Sequence, residues 1–152
     1  MSKKTLLLVE DNPDDVELTL IAFKRSHFAH KVEIAQDGVQ ALDYLFGTGA
    51  YDGRDRNDIP VLVLLDLNLP KINGFEVLEK MRQDPVLKDI FVVILTSSSR
   101  EEDKTRAMNL GANVYLQKAV DFDEFIMLVQ RLEAFISAQK HNPELSSPLE
   151  PA

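Results

Sequence analysis

Val61-Leu62-Val63-Leu64-Leu65-Asp66-Leu67-Asn68-Leu69-Pro70 carries five apolar residues without a polar break into a carboxylate and closes on proline. Apolar on both faces and rich in Val and Leu, the run has the pattern of a central strand in a parallel sheet covered by helices on both sides. Ligands in such sheets bind outside the carboxyl ends of the strands, which puts Asp66 where chemistry is placed. What the other strand ends bring to Asp66 then decides the reading of the chain.

On the amino-terminal side, a second apolar run, Thr5–Val9, ends in Glu10-Asp11-Asn12-Pro13-Asp14-Asp15. This is a strand, an acidic turn and a helix start. Asn12 is a good N-cap, Pro13 suits the first helical position, and Asp14 and Asp15 favour the positive end of the helix dipole. Val16, Leu20, Ile21 and Phe23 carry the helical spacing to about residue 27. Lys31–Ala35 reads as a short strand, Asp37-Gly38 as a turn, and 39–46 as a helix stopped by Gly47. The following segment to Pro60, rich in Gly, Asp, Arg and Asn, is longer than most helix-to-strand connections.

On the carboxyl-terminal side, Val77, Leu78 and Met81 mark a helix over 75–82, ended by Asp84-Pro85. A buried strand at 90–95 runs into Thr96-Ser97-Ser98-Ser99. A charged helix spans 100–110, and a last strand at 112–117 ends in Lys118. The final helix, 121–139, is about 28 Å long at 1.5 Å per residue. Phe122, Phe125, Ile126, Val129, Leu132 and Ile136 form its apolar stripe, with Leu128 and Phe135 beside it. That surplus marks a partner surface or contact with a neighbouring helix. Five strands alternating with five helices give an α/β parallel sheet in one domain, 1–139, and the Pro, Ser and Glu of 140–152 suggest a disordered tail.

Composition narrows the function classes. A formal net charge of -8 and a pI near 4.8 argue against a surface that neutralises nucleic-acid phosphates, and the partners expected are proteins. Zero cysteines exclude disulfides, thiolate nucleophiles and Cys-based zinc sites. No apolar run approaches the roughly 18 residues of a membrane span, and the uncharged stretch before Glu10 is too short for a signal-peptide core, so a cytoplasmic location is expected. His27, His30 and His141 lack ligand spacing and are expected at the surface.

The strand ends supply Glu10 and Asp11, Asp66, Thr96 and Lys118. Each has a plain reading: helix-start acids, a turn residue, a hydroxyl turn, a solvated charge. Together they are complementary. Converging carboxylates need protons or a cation, and an all-oxygen site suits Mg²⁺. Phosphoryl transfer requires a nucleophile, a metal to offset charge, and donors for the phosphoryl oxygens. Asp66 can be the nucleophile, forming an aspartyl phosphate. Mg²⁺ would lie between Asp66, Asp11 and the backbone carbonyl of Asn68, with Glu10 acting mostly through water. Lys118 and Thr96 would hold phosphoryl oxygens.

These residues sit in motifs that resemble the receiver domain of two-component response regulators: Leu-Val-Glu-Asp-Asn-Pro-Asp-Asp at 8–15, Leu-Leu-Asp-Leu-Asn-Leu-Pro at 64–70 with Gly74 after it, Ile-Leu-Thr-Ser at 94–97, and Gly-Ala-Asn-Val-Tyr-Leu-Gln-Lys at 111–118. The resemblance implies a flavodoxin-like fold with strand order 2-1-3-4-5 and a phosphoryl group received by Asp66 from a histidine kinase. It assigns Glu10 and Asp11 as the acidic metal pair, Thr96 as the hydroxyl that moves toward the phosphoryl group, Tyr115 as the aromatic switch, and Lys118 as the phosphate-binding lysine. It also implies an output face on the fourth helix, fifth strand and fifth helix. Ala119 departs from the family, which usually has proline there in a cis peptide. The loop at 47–60, the start of the last helix and the few residues after 139 look most like the small regulators paired with cyanobacterial phytochrome kinases, which tend to form homodimers through that face. Leu128 and Phe135 are the candidates for the contact. The expected function is a phosphorylation switch acting on an unknown downstream protein. The alternatives are a degenerate receiver that binds without phosphorylation and an aspartyl-phosphate phosphatase.

Overall fold

In the computed structural model, which describes residues 5–118 and 122–139, five parallel strands lie in the order 2-1-3-4-5. The elements are β1 Thr5–Val9, α1 Pro13–Arg25, β2 Lys31–Ala35, α2 Gly38–Phe46, β3 Leu62–Leu65, α3 Gly74–Gln83, β4 Phe91–Thr96, α4 Glu101–Asn109, β5 Val114–Gln117 and α5 Phe122–Gln139. Asp121, Ala119 and the segment from 140 lie outside the described residues, and with them His141, the Lys118-Ala119 bond and the expected tail.

β3 is central because it has no polar side to show to water. Its four residues are all buried, each contributing on the order of 1.5–3 kcal/mol. Alternation divides the apolar side chains between two cores. Val63 and Leu65 join Leu7, Val9, Val92 and Ile94 under α2, α3 and α4. Leu62 and Leu64 join Leu6, Leu8, Val93 and Leu95 under α1 and α5. β5 follows the same period, with Val114 in the second core and Tyr115 against the first.

The starts of α1, α2 and α3 carry side-chain caps, Asn12 as the sequence suggests. Asn12 Oδ1 accepts from the Asp14 and Asp15 N–H groups, Asp37 from Gln40, and Asn73 from Glu76. Between α2 and β3 the long connection carries a short 3₁₀ turn, Gly49–Tyr51. Tyr44 packs edge-on against Tyr51 and under the Arg54 guanidinium, so the segment is fastened to α2.

Two expectations need correction. Phe135, read from periodicity as surplus, is only 4% exposed and packs against Phe91 with ring centroids 4.6 Å apart. The reason is that α5 lies against both the sheet and α1, so its buried arc is wider than a helix covering only a sheet would need. Phe135 is therefore core, and Leu128 is half-buried on the same side. His30 is not a surface residue: its side chain is 5% exposed, with Nε2 3.2 Å from Glu133 of α5 and its ring edge-on to Phe28. His27 is exposed.

Candidate functional site

Backbone hydrogen bonding continues one residue beyond the strands and draws their ends into line. The Glu10 N–H donates to Ala35 C=O at 3.0 Å, Asp66 to Val9 at 3.0 Å, and Lys118 to Thr96 at 2.6 Å. This is where β1 and β3 diverge toward opposite sides of the sheet, the switch point at which doubly wound sheets bind ligands. Glu10, Asp11 and Asp66 meet there, one carboxylate oxygen from each lying within 4.8 Å of the others. Glu10 and Asp66 are buried and Asp11 is exposed.

Lys118 reaches into this group. Its Nζ lies 2.6 Å from Glu10 Oε1, 2.7 Å from Asp15 Oδ2 and 3.4 Å from Asp66 Oδ2. Burial opposes its charge, but the hydrogen bonds to Asp15 and Glu10 and the charge of Asp66 outweigh that and raise the lysine pKa. Glu10 has the converse problem. Burial pushes its carboxyl up to about 7, with Asp66 adding repulsion, while Lys118 and the Asn12 N–H pull the other way. The Asp66 carboxylate is held loosely, by contacts of 3.4 Å from both Lys118 and the Asn68 N–H. Its lone pairs remain available.

Close backbone approach shapes the floor of the site. A Cβ on Gly74, the first residue of α3, would lie 2.3 Å from the Asp66 carbonyl oxygen, so only glycine lets α3 start this close to the strand end. The Gly74 N–H donates to Leu67 C=O at 2.9 Å and closes the loop. Within it Lys71 adopts φ +69° and its ammonium reaches the buried Asp37 at 3.3 Å.

Thr96 is fully buried at the end of β4, and its Oγ1 accepts from the Ser98 N–H at 3.3 Å. Ser98 ties several parts together: its hydroxyl donates to Asp103 at 2.6 Å and accepts from Arg100 N–H, while its carbonyl accepts from Tyr115 O–H at 3.5 Å. Burial, then the nearby carboxylates, raise the Tyr115 pKa against that hydrogen bond. The structure thus gathers Glu10, Asp11, Asp66 and Lys118 at one point and joins Thr96 to Tyr115 through Ser98.

Asp15 and Ser98 were not singled out from sequence as site residues. Asp15 has the position of an ordinary first-turn acid, and its spacing of four from Asp11 is the one signal that places it a helical turn above the acidic pair. Ser98 stands in a run of three serines with nothing to mark it out.

The parallel sheet with its acidic switch point and lysine belongs to a class of doubly wound signalling domains. The response regulator receiver domain model matches residues 6–130, and the chain belongs to that family. Within it, the chain is 41% identical over 132 residues to response regulator Rcp1 of Synechocystis sp., covering 87% of this chain and 88% of Rcp1. The phosphorylated cyanobacterial phytochrome response regulator RcpA superposes with a TM-score of 0.80 at 38% identity, over 91% of this chain and 96% of that one. The Mn(2+)-bound form of Rcp1 superposes with a TM-score of 0.76 at 41% identity, over 87% and 93%. Among the described residues no helix is long and apolar enough to cross a membrane.

Proposed function

We propose that this chain is a phosphorylation switch in which Asp66 takes a phosphoryl group from the phosphohistidine of a histidine kinase, with Mg²⁺ at the acidic cluster. The observation that carries the reading is the convergence of three carboxylates beside one ammonium: Glu10, Asp11 and Asp66 bring hard oxygen donors together, and Lys118, which touches only Glu10 and Asp66 of the three, does not neutralise their combined charge. The donor set fits a divalent cation, and the manganese-bound relative supports it. Glu10, Asp11, Asp66 and the carbonyl of Asn68 would hold the ion, which offsets charge on the transferring phosphoryl group.

The chain's own groups account for the remaining steps. An Asp66 oxygen attacks phosphorus, the P–N bond to the kinase imidazole breaks, and the electron pair leaves with the imidazole. Lys118 donates to a phosphoryl oxygen from its place 3.4 Å away, and the Thr96 hydroxyl turns from its Ser98 contact to another. Loss of that contact loosens the loop that holds the Tyr115 hydroxyl, and the ring moves inward, shifting a balance between two surfaces. The chain catalyses its own phosphorylation and dephosphorylation and no reaction on other substrates.

The kinase is of the phytochrome type, in keeping with the phytochrome regulator among the similar structures. A protein donor also suits α1, which begins at the acidic turn and exposes Leu18, Leu20 and Ile21 at 46%, 37% and 39%. The output and self-association face is α4, β5 and α5, where Leu128 is half-buried and Met127 is 61% exposed; Phe135 has no place in it. The test pairs phosphoryl labelling by a phosphorylated kinase with sedimentation in Mg²⁺ and beryllofluoride. Wild-type protein takes label and changes mass, and Asp66→Asn takes none. Label retained at equal stoichiometry in that variant would move the acceptor elsewhere.

A further inference from the structure

Lys118 donates to three carboxylates, and only one of them lies outside the candidate cation site. Glu10 and Asp66 belong to the trio that would turn toward a divalent ion, whereas Asp15 does not. The contact to Asp15, at 2.7 Å, is the one for which a cation does not compete. We infer that Asp15 is a positioning residue, the fixed counter-ion that holds the Lys118 ammonium beside Asp66 while Glu10 and Asp66 are occupied elsewhere. The inference rests on the phosphoacceptor reading of Asp66.

Asp15 is built for a fixed role. Its N–H is held by the Asn12 side chain at 3.3 Å, and its carbonyl accepts from the buried Thr19 hydroxyl at 2.7 Å. The peptide is therefore pinned on both sides, within the first turn of α1, and the carboxylate has little to adjust but its own rotamer. The lysine is pinned at its root as well, through its N–H on the Thr96 carbonyl. Root and tip are thus mounted on two elements at opposite sides of the site, β4 and α1. A lysine stem has four rotatable bonds and loses considerable freedom when its head is fixed. Without Asp15 the ammonium would close on Asp66 and mask the nucleophile, or turn out to solvent and leave the phosphoryl oxygens without a donor.

The geometry also distributes the donors. An ammonium has three N–H bonds. With Glu10 turned to a cation, one bond stays on Asp15 and two are free for phosphoryl oxygens on Asp66. The half-exposed setting of Asp15, 36% open to solvent, moderates the effect.

The test uses the full chain at saturating Mg²⁺ and two readouts. Calorimetric titration with beryllofluoride is expected to show binding about five-fold weaker in Asp15→Asn, with Asp15→Glu within about two-fold of wild type. Nitrogen-15 spectra of the lysine ammonium groups, assigned with Lys118→Met, are expected to show a slowly exchanging Lys118 signal in wild type and Asp15→Glu that disappears in Asp15→Asn. Unchanged or tighter binding in Asp15→Asn overturns the inference, as does weaker binding with the ammonium signal retained, which would make Asp15 a distant charge rather than a mount. If wild-type protein fails to bind beryllofluoride, the phosphoacceptor reading falls, and the ammonium spectra alone still decide whether Asp15 holds Lys118.

Discussion

Arg82 and Lys118 are both partly buried cations at the edge of the same sheet, and they are satisfied in opposite ways. At the amino ends of β4 and β5, the Arg82 guanidinium donates twice to Gly111 C=O and once each to Lys88 C=O, Ile90 C=O and Asn113 Oδ1, at 2.8–3.1 Å. Every acceptor is neutral, and Asn113 Oδ1 is itself fixed by the Val92 N–H at 2.7 Å. At the carboxyl ends, Lys118 faces Glu10, Asp15 and Asp66, ionisable groups whose summed charge exceeds its own. A cation held by neutral carbonyls has one stable arrangement and serves to join α3 to two loops. One held by surplus carboxylates can exchange partners when another cation or a phosphoryl group arrives. The molecule keeps its fixed joint at one end of the sheet and its adjustable one at the other.

Removing Arg82 should therefore have the largest effect and the simplest. Burial pulls the Arg82 pKa down and the charge of Asp89 opposes it, while the guanidinium, which stays charged, has its N–H groups satisfied by the carbonyls around it. Arg82→Ala leaves three carbonyls and an amide short of a donor, a loss of about 3 kcal/mol. Urea unfolding should report that loss equally with and without Mg²⁺. Arg82→Lys should recover little of it, because an ammonium cannot reproduce the five-donor fork. A loss reversed by Mg²⁺ would erase the distinction between the two cations.

Lys118→Met is expected to cost less, about 2 kcal/mol without metal, since Glu10 and Asp66 are left facing each other while Asp15 can turn to water. Here 10 mM Mg²⁺ should recover most of the stability, because the ion supplies the missing positive charge. Thermal melts of both variants side by side with wild type give the comparison. A Lys118→Met protein indifferent to Mg²⁺ would mean that the carboxylates do not share a cation.

The difference between the two ends also explains what the sequence disclosed. The alternation of strands and helices and the strand-end positions of Glu10, Asp11, Asp66, Thr96 and Lys118 were legible because each chemical group closes an apolar run, a signal written within ten residues, whereas the strand order came only with the family resemblance. Arg82 was not legible, since all but one of its acceptors are backbone carbonyls, on segments 6–29 residues away, and any carbonyl looks alike in sequence. Asp15 escaped for the same reason: its partner is 103 residues distant and its helix-start position already had a sufficient explanation. Phe135 and His30 were misread because helical periodicity locates a face relative to one neighbour, whereas α5 has two, and a turn residue at the mouth of β2 can be covered by a helix a hundred residues on. Contacts that depend on which elements end up adjacent are outside the reach of spacing alone.

The smallest expected effect is in pH. Glu10 has a folded pKa of about 7 against an ordinary value of 4.5, so the folded protein binds the extra proton between these limits. Its contribution to stability is full below about 4.5 and is lost as pH rises through 7. Without Mg²⁺, wild-type stability should fall relative to Glu10→Gln by about 1–2 kcal/mol between pH 5.5 and 8, less than the shift alone would give because Lys118 shares the charge. Arg82→Ala should keep the wild-type slope, since nothing that titrates in this range touches that joint. Adding Mg²⁺ should flatten the wild-type profile, as the ion takes the place of the proton and binds more tightly at pH 8 than at 5.5. Equal slopes in wild type and Glu10→Gln would place the titrating group elsewhere, and the carboxyl end would then be no more adjustable in its protonation than the arginine end.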